Sequence, residues 1–433
     1  MPHDTPSWLK SSSLYQVYIR NFTPEGTFAS AIPRLKGIRD IGFDIVYLMP
    51  IHPVGTLNRK GALGSPYAVA DYRSVDPGLG DMGDLRRFLA EAHAAGLKVI
   101  MDVVFNHTAC DSLLLREHPE WFMRDAKGGP ARKVPDWSDV FDLDFSHRGL
   151  REYLVDTLAG WVEAGFDGFR CDVASLVPVD FWIEARARIG EKKPLVWLAE
   201  SVEKGFVKHL RDMALYAASD PELHAAFDVT YDYDGFEYLK EYFLGGLGLE
   251  AYLRHVLVQE TLYPAHALKA RFLENHDQQR AAAVIRGPDR LKNWTAFSWF
   301  LPGLIFVYMG QEHALVDRPD LFRKDPVRWE EGSKEFFDFF RKLLPICMRA
   351  KAETGIFHLV EICAGVLALR WSDRAMKTRI TAIVNLEDRF GEKALPFALR
   401  GRDLLTSAVI DLAGGPDAPK TAIPKGPLIV RES

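Results

Sequence analysis

Three segments of the chain share one grammar. IGFDIVYL (residues 41–48), AGLKVIMDV (95–103) and AGFDGFRCD (164–172) each close a helical run, pass a glycine and enter a short apolar stretch. The runs that precede them repeat apolar residues at helical spacing: Ile32, Leu35, Ile38 and Ile41; Leu85, Phe88, Leu89 and Ala92; Leu150, Tyr153, Leu154, Leu158 and Trp161. Gly42, Gly96 and Gly165 sit where a left-handed residue ends a helix. Further apolar runs complete a set of strand candidates at residues 14–19, 45–48, 98–104, 168–171, 195–199, 226–229, 270–273 and 304–308. Strands apolar on both faces that alternate with helices form a parallel sheet covered on both sides. Eight such units predict a (β/α)8 TIM barrel.

At 433 residues the chain exceeds the roughly 250 of a bare barrel, so it has room for appendages. Two stretches break the alternation. Residues 108–146, rich in Asp, Pro, Gly and Trp, are long for a loop between strand and helix. After residue 353 the helical grammar gives way to strand-like runs at 366–371, 379–385 and 422–430. The predicted division is a barrel over 1–107 and 147–352, a short inserted subdomain over 108–146, and a C-terminal antiparallel β domain, a sandwich, over 353–433.

Charge excludes some functions. With 54 basic against 59 acidic side chains, a net charge of −5 and no long charge run, nothing suggests a nucleic-acid partner or a disordered tail. Residues 1–10 (MPHDTPSWLK) have no apolar signal core, and no run reaches the roughly 18 apolar residues needed to cross a bilayer. The chain as given reads as cytoplasmic with no membrane partner, secretion staying open if a signal peptide has been removed. Cys110, Cys171, Cys347 and Cys363 are widely spaced and lack metal-type pairing, so they read as reduced thiols.

Barrel chemistry sits at the C-terminal ends of the strands. There the sequence places Asp102, Asn106 and His107 after the third strand, Arg170 and Asp172 on the fourth, Glu200 after the fifth, and Asn275, His276 and Asp277 after the seventh. Carboxylates gathered at one rim are costly unless they are paired or functional. The chemistry that needs such a set is glycosidic cleavage: one carboxylate attacks the anomeric carbon, and a second protonates the leaving oxygen and later activates water. Arg170 lies two residues from Asp172 and so shares its face, where its charge would favour the ionised carboxylate. Glu200 follows the apolar LVWLA, a setting that raises the pKa of a general acid.

These residues also carry a resemblance. DVVFNH (102–107), GFRCD (168–172), LAES (198–201) and ENHD (274–277) resemble, in order, the four signatures of the α-amylase family of glycoside hydrolases. SPYAVADY (65–72) is similar to the segment whose Tyr stacks on the reacting sugar. The resemblance implies Asp172 as nucleophile, Glu200 as acid/base and Asp277 as transition-state stabiliser, with Tyr67, His107, Arg170 and His276 binding the sugar. It implies an oligosaccharide or α-glucan substrate and a retaining hydrolase, and the short insert points to short α-glucans. A transglycosylase or phosphorylase using the same intermediate is the alternative. A non-catalytic binding subunit is a further one, which the three retained carboxylates disfavour.

The sequence departs from the family at Ser175 and Leu176, where many members carry Lys-His for distal sugars and a calcium-binding carbonyl. Asn106 matches a calcium ligand, but its partners are not identifiable and the usual site looks incomplete. No cofactor is required on this reading, and calcium stays open. Asp102 reads as structural rather than catalytic, holding Arg170 or the strand end. Trp121, Trp137 and Trp329 are candidates for stacking on sugars or for packing, and His313 for a rim loop. Val173 follows the nucleophile, as it does in members that cut α-1,6 bonds.

Overall fold

The computed structural model describes residues 5–190 and 193–432, so the first four residues of the amino-terminal segment lie outside the described residues. Eight parallel strands close a barrel: β1 Ser13–Val17, β2 Ile45–Leu48, β3 Lys98–Val103, β4 Gly168–Cys171, β5 Val196–Ala199, β6 Val229–Tyr231, β7 Leu268–Arg271 and β8 Leu304–Tyr308. Each pairs with its sequence neighbours, and β8 closes on β1. The helical runs read from the sequence are helices: Phe28–Ile41, Met82–Ala94 and Arg148–Ala164. They bury Leu35 and Ile38; Leu85, Phe88, Leu89 and Ala92; and Leu150, Leu154, Leu158 and Trp161 against the sheet. Gly42, Gly96 and Gly165 follow them at positive φ.

Three barrel strands differ from expectation by two residues or more at one end or both. The first strand stops at Val17, and Ile19 opens a short helix. The sixth, expected at 226–229, runs Val229–Tyr231, because Ala226 and Phe227 are buried outside the sheet, Phe227 against Trp182 and Trp197. The seventh, expected at 270–273, begins at Leu268 and includes Lys269 and Arg271, whose charges are neutralised by buried aspartates.

Register matters for the site. Asp102 on β3 stands directly opposite Arg170 on β4, so the two side chains enter the barrel together. Gly168 at the start of β4 is required by close approach, since a Cβ there would lie 2.2 Å from the Val196 carbonyl oxygen on β5.

The insert after β3 is a small excursion: a ribbon pairs His107–Ala109 with Val140–Asp142, and a short helix spans Leu113–Glu117. The chain ends in a six-stranded antiparallel sheet of β9 Ile356–Cys363, β10 Val366–Ser372, β11 Arg379–Asn385, β12 Leu399–Asp403, β13 Val409–Leu412 and β14 Leu428–Glu432, ordered β9-β10-β11-β14-β12-β13. Glu392–Lys393 and Thr421–Ala422 form a separate two-stranded ribbon. Alternation along β10 sorts the two faces: Leu367, Leu369 and Trp371 join the barrel core, whereas Val366 and Ala368 join a second cluster with Leu395 and Leu399. Trp371 Nε1 donates to the Phe300 carbonyl, fixing the sheet to the barrel's last helices. All four cysteines are free thiols, three buried and Cys363 partly so. Among the described residues no helix is long and apolar enough to cross a membrane.

Candidate active site

Arg170 is the centre of the C-terminal rim. Its side chain is fully buried and its Nη1 donates to Asp102 Oδ1 (2.8 Å), Asp102 Oδ2 (2.9 Å) and Asp172 Oδ1 (2.8 Å). Nη2 forms an ion pair with Glu200 Oε1 at 2.9 Å. The rings of Tyr47, Tyr67 and Tyr231 surround the guanidinium. Asp102 is closed off beneath the site: Tyr47 donates to its Oδ2 at 2.5 Å and Tyr67 at 3.1 Å.

Above this floor opens a cleft of about 340 Å³, lined among others by Tyr67, His107, Trp137, Asp172, Glu200 and Asp277. Strand ends supply the three carboxylates, as a barrel requires. Glu200 Oε2 accepts from the Val173 amide at 2.8 Å. Val173 is held at φ 34° and ψ 46°, a left-handed conformation costly for a β-branched residue, and this turn aims its N–H at Glu200. On the seventh-strand side, Asn275 Oδ1 accepts from the Asp277 amide at 2.9 Å and orders that turn. His276 links both walls: its Nδ1 meets Gln16 Nε2 at 2.8 Å, and its Nε2 lies 2.6 Å from the Tyr67 hydroxyl and 3.0 Å from Asp277 Oδ2.

Burial lifts the Asp172 carboxyl well above the usual carboxylate range; Arg170 pulls it down, while Glu200 and Asp102 push it further up. Burial also raises Glu200, with Arg170 opposing and Asp277 reinforcing. Held by one guanidinium, the two titrate as a pair: ionising one makes the other keep its proton longer. Asp277 reaches into the cleft with 45% of its side chain exposed. Partial desolvation pushes it up, but His276 and Arg170 outweigh this and it titrates below its ordinary value. Burial and then the nearby Lys133 charge drive His107 down to about 3, so its ring is neutral. Asn106 Nδ2 faces its Nδ1 at 3.0 Å, which leaves Nε2–H turned toward Asp172 Oδ2, 4.0 Å away.

All seven predicted residues, Asp172, Glu200, Asp277, Tyr67, His107, Arg170 and His276, thus meet at one cleft or directly beneath it. Of the candidate tryptophans only Trp137 lines it. Trp121 stacks on His118, and Trp329 packs on Phe22 and His313. Gln16 and Tyr47 were not among the expected site residues, although each is a polar group inside an apolar barrel strand, which is a signal. Nor were Lys60, whose Nζ pairs with Asp139 at 2.9 Å on the cleft wall, and Lys133.

Asn106 tests the calcium expectation. Its Oδ1 accepts from Lys133 Nζ at 2.7 Å, and the same ammonium donates to the Leu176 carbonyl at 2.9 Å. These are the two positions where the resemblance puts calcium ligands, and oxygens turned onto an ammonium do not fit a calcium ion at the same time. Among the described residues no group of three or more His, Cys, Asp or Glu side chains is placed to hold a metal.

The alpha amylase catalytic-domain family matches residues 10–141 and 135–342. The chain belongs to the α-amylase family. An α-amylase from Lactobacillus plantarum superposes with a TM-score of 0.93 at 36% identity, covering 99% of this chain and 100% of that one. The α-amylase MalA of Haloarcula japonica is 25% identical over 97% of this chain, which spans 62% of MalA's length. An α-1,4-glucan:maltose-1-phosphate maltosyltransferase of Cereibacter sphaeroides is 34% identical over 41% of this chain, which spans 33% of that protein. In this α-amylase-family chain the barrel with its C-terminal sheet is the family's fold, and family members are glycoside hydrolases or transferases acting on α-glucans.

Proposed function

We propose that this chain is a retaining α-glycoside hydrolase cleaving α-glucosidic bonds in malto-oligosaccharides or related short α-glucans. One observation carries the reading: Asp172 and Glu200 share the Arg170 guanidinium on the floor of a cleft whose rim holds Asp277. Retaining enzymes keep their two carboxylates about 5–5.5 Å apart, against roughly 6.5–9.5 Å in inverting ones, and a single bridging cation supports the closer spacing.

In the reactive form the pair carries one proton, on Glu200. Asp172 attacks the anomeric carbon as the glycosidic C–O bond breaks, and Glu200 gives its proton to the departing oxygen. Asp277, ionised and close to the cleft mouth, offsets the positive charge that develops on the sugar ring. Glu200 then takes a proton from water, which attacks the same carbon and frees Asp172. Two inversions leave the product in the α configuration. Tyr67 presents a ring face, and His107 and His276 offer neutral or polar edges, to the sugar in this subsite.

The test is incubation with maltotriose, maltoheptaose, isomaltotriose, sucrose and starch, with products separated over time and their anomer read by NMR. Glucose or maltose in the α form from short maltodextrins, with slow attack on starch, is the expected outcome. A β product would overturn the mechanism. Glycosyl transfer is the second reading, favoured by the match to the maltosyltransferase; products longer than the substrate would establish it.

A further inference from the structure

A single buried ammonium ties three loops together beneath the cleft. Lys133, in the insert after β3, donates to Asn106 Oδ1 at the end of β3 (2.7 Å) and to the Leu176 carbonyl in the turn after β4 (2.9 Å), and lies 4.0 Å from Asp142 Oδ2. Only 7% of its side chain is exposed, and Asp142 is fully buried. The oxygens are woven together independently: the Lys133 amide donates to Asp142 Oδ2 at 2.9 Å, and Asn106 Nδ2 reaches Asp142 Oδ1 at 3.3 Å. Asp142 is in turn the ladder partner of His107 in the insert's ribbon. A buried cation is tolerated only with such partners. A carboxylate, a side-chain amide oxygen and a peptide carbonyl are also the hard oxygen donors that a calcium ion takes.

We propose that Lys133 is a tethered cation: it closes the insert onto the barrel in the position of a calcium ion and, through Asn106, fixes His107 beside Asp172. Because Oδ1 of Asn106 is committed to the ammonium, its amide nitrogen is the atom left to face His107 Nδ1 and Asp142. That hydrogen bond selects the tautomer with Nε2–H toward the carboxylate. Lys133 touches no substrate in this arrangement and is a positioning residue. The fold-holding half of the proposal is independent of the proposed reaction; the kinetic half rests on it.

The test is thermal unfolding and kinetics of the full chain and of Lys133→Met, Lys133→Ala and Lys133→Arg, each in EDTA, in CaCl2 and in methylammonium chloride. The native chain should unfold at the same temperature in EDTA and in CaCl2. Lys133→Met fills the space without a charge, so its Tm should fall, proteolysis within residues 108–146 should quicken, and kcat should drop about tenfold with KM little changed. Lys133→Ala opens a gap lined by the three oxygens, so methylammonium or calcium should restore Tm and kcat, while neither should help Lys133→Met. Lys133→Arg keeps the charge and should recover part of the loss. A native Tm lowered by EDTA would overturn the proposal, as would a Lys133→Met variant with unchanged Tm and protease resistance. A folded Lys133→Ala chain that neither cation restores would overturn the reading of this position as a cation site. If the native chain cleaves no α-glucoside, the Tm, proteolysis and cation-rescue arms still decide the fold-holding half.

Discussion

The Arg170 cluster at the rim and the Lys269–Arg271 cluster on β7 bury similar groups with different supplies of positive charge. At the rim one guanidinium serves Asp102, Asp172 and Glu200. In the second cluster two cations serve three aspartates: Lys269 Nζ pairs with Asp220 and Asp234, both at 2.8 Å, and Arg271 Nη1 with Asp232 at 2.7 Å. Further donors reach all three carboxylates there, with Gln259 and Tyr252 on Asp232, Thr230 on Asp220, and Tyr263 on Asp234 beside His255. Burial pushes Asp234 and Asp220 up; Lys269 and these hydrogen bonds hold Asp234 well below the usual carboxylate range, while Asp220 stays raised to about 6. Asp172 and Glu200 go the other way from Asp234: burial raises both, and together with Asp102 they have one guanidinium among three carboxylates. A saturated network holds elements together; an undersupplied one that opens to a cleft keeps a proton available for chemistry.

Two substitutions should separate the clusters. Asp172→Asn should cut kcat/KM on a malto-oligosaccharide by on the order of 10⁴-fold or more. It should leave Tm unchanged or raised, since it relieves crowding around one cation. Lys269→Met should do the reverse, costing about 3–5 kcal/mol in chemical denaturation by stranding buried aspartates while sparing kcat. Loss of folding in the first variant, or loss of activity at native stability in the second, would erase the distinction.

The shared guanidinium also dictates a pH profile. Cleavage needs an ionised Asp172 and a protonated Glu200, so kcat/KM should be bell-shaped. Burial raises both carboxyls, which places both limbs above the ordinary aspartate and glutamate values of about 3.9 and 4.3. A raised pKa means that the proton is retained to higher pH, so activity should fade on acidification earlier than an exposed aspartate would dictate. Adding negative charge at the rim should move both limbs up. Full activity well below pH 4 would contradict the electrostatics of the Arg170 cluster.

What could be read in advance follows from which physical terms sequence patterns report. Apolar periodicity reports burial, so the barrel, its helices and the glycine stops were legible, and polar residues directly after apolar strands marked Asp172, Glu200 and Asp277. The same rule misplaced β6 and β7. Phe227 is buried by aromatic packing rather than by strand pairing, and Lys269 and Arg271 are strand residues whose burial depends on aspartates elsewhere in the chain. Strands β9, β12 and β13 went unread because partly exposed positions and charged residues such as Arg400 and Arg402 blunt their alternation. Lys133 was invisible for a different reason: its partners Asn106 and Leu176 stand 27 and 43 residues away, and no local pattern encodes that meeting.

Trp137, the one candidate tryptophan that lines the cleft, should matter least to the chemistry. Its ring lies 5.4 Å from that of His107, and its neighbours Asp139 and Val140 also face the opening. It belongs to the insert, apart from the strand ends that carry the carboxylates, so it should contribute to holding sugar rings and little to bond cleavage. Trp137→Ala should raise KM by a few-fold, matching roughly 0.5–1.5 kcal/mol for a lost aromatic contact, with kcat nearly unchanged. Trp137→Phe should recover most of that loss. A fall in kcat with KM unchanged would mean that the insert acts on the reacting sugar itself, and the division between a catalytic rim and a binding wall would have to be redrawn around His107.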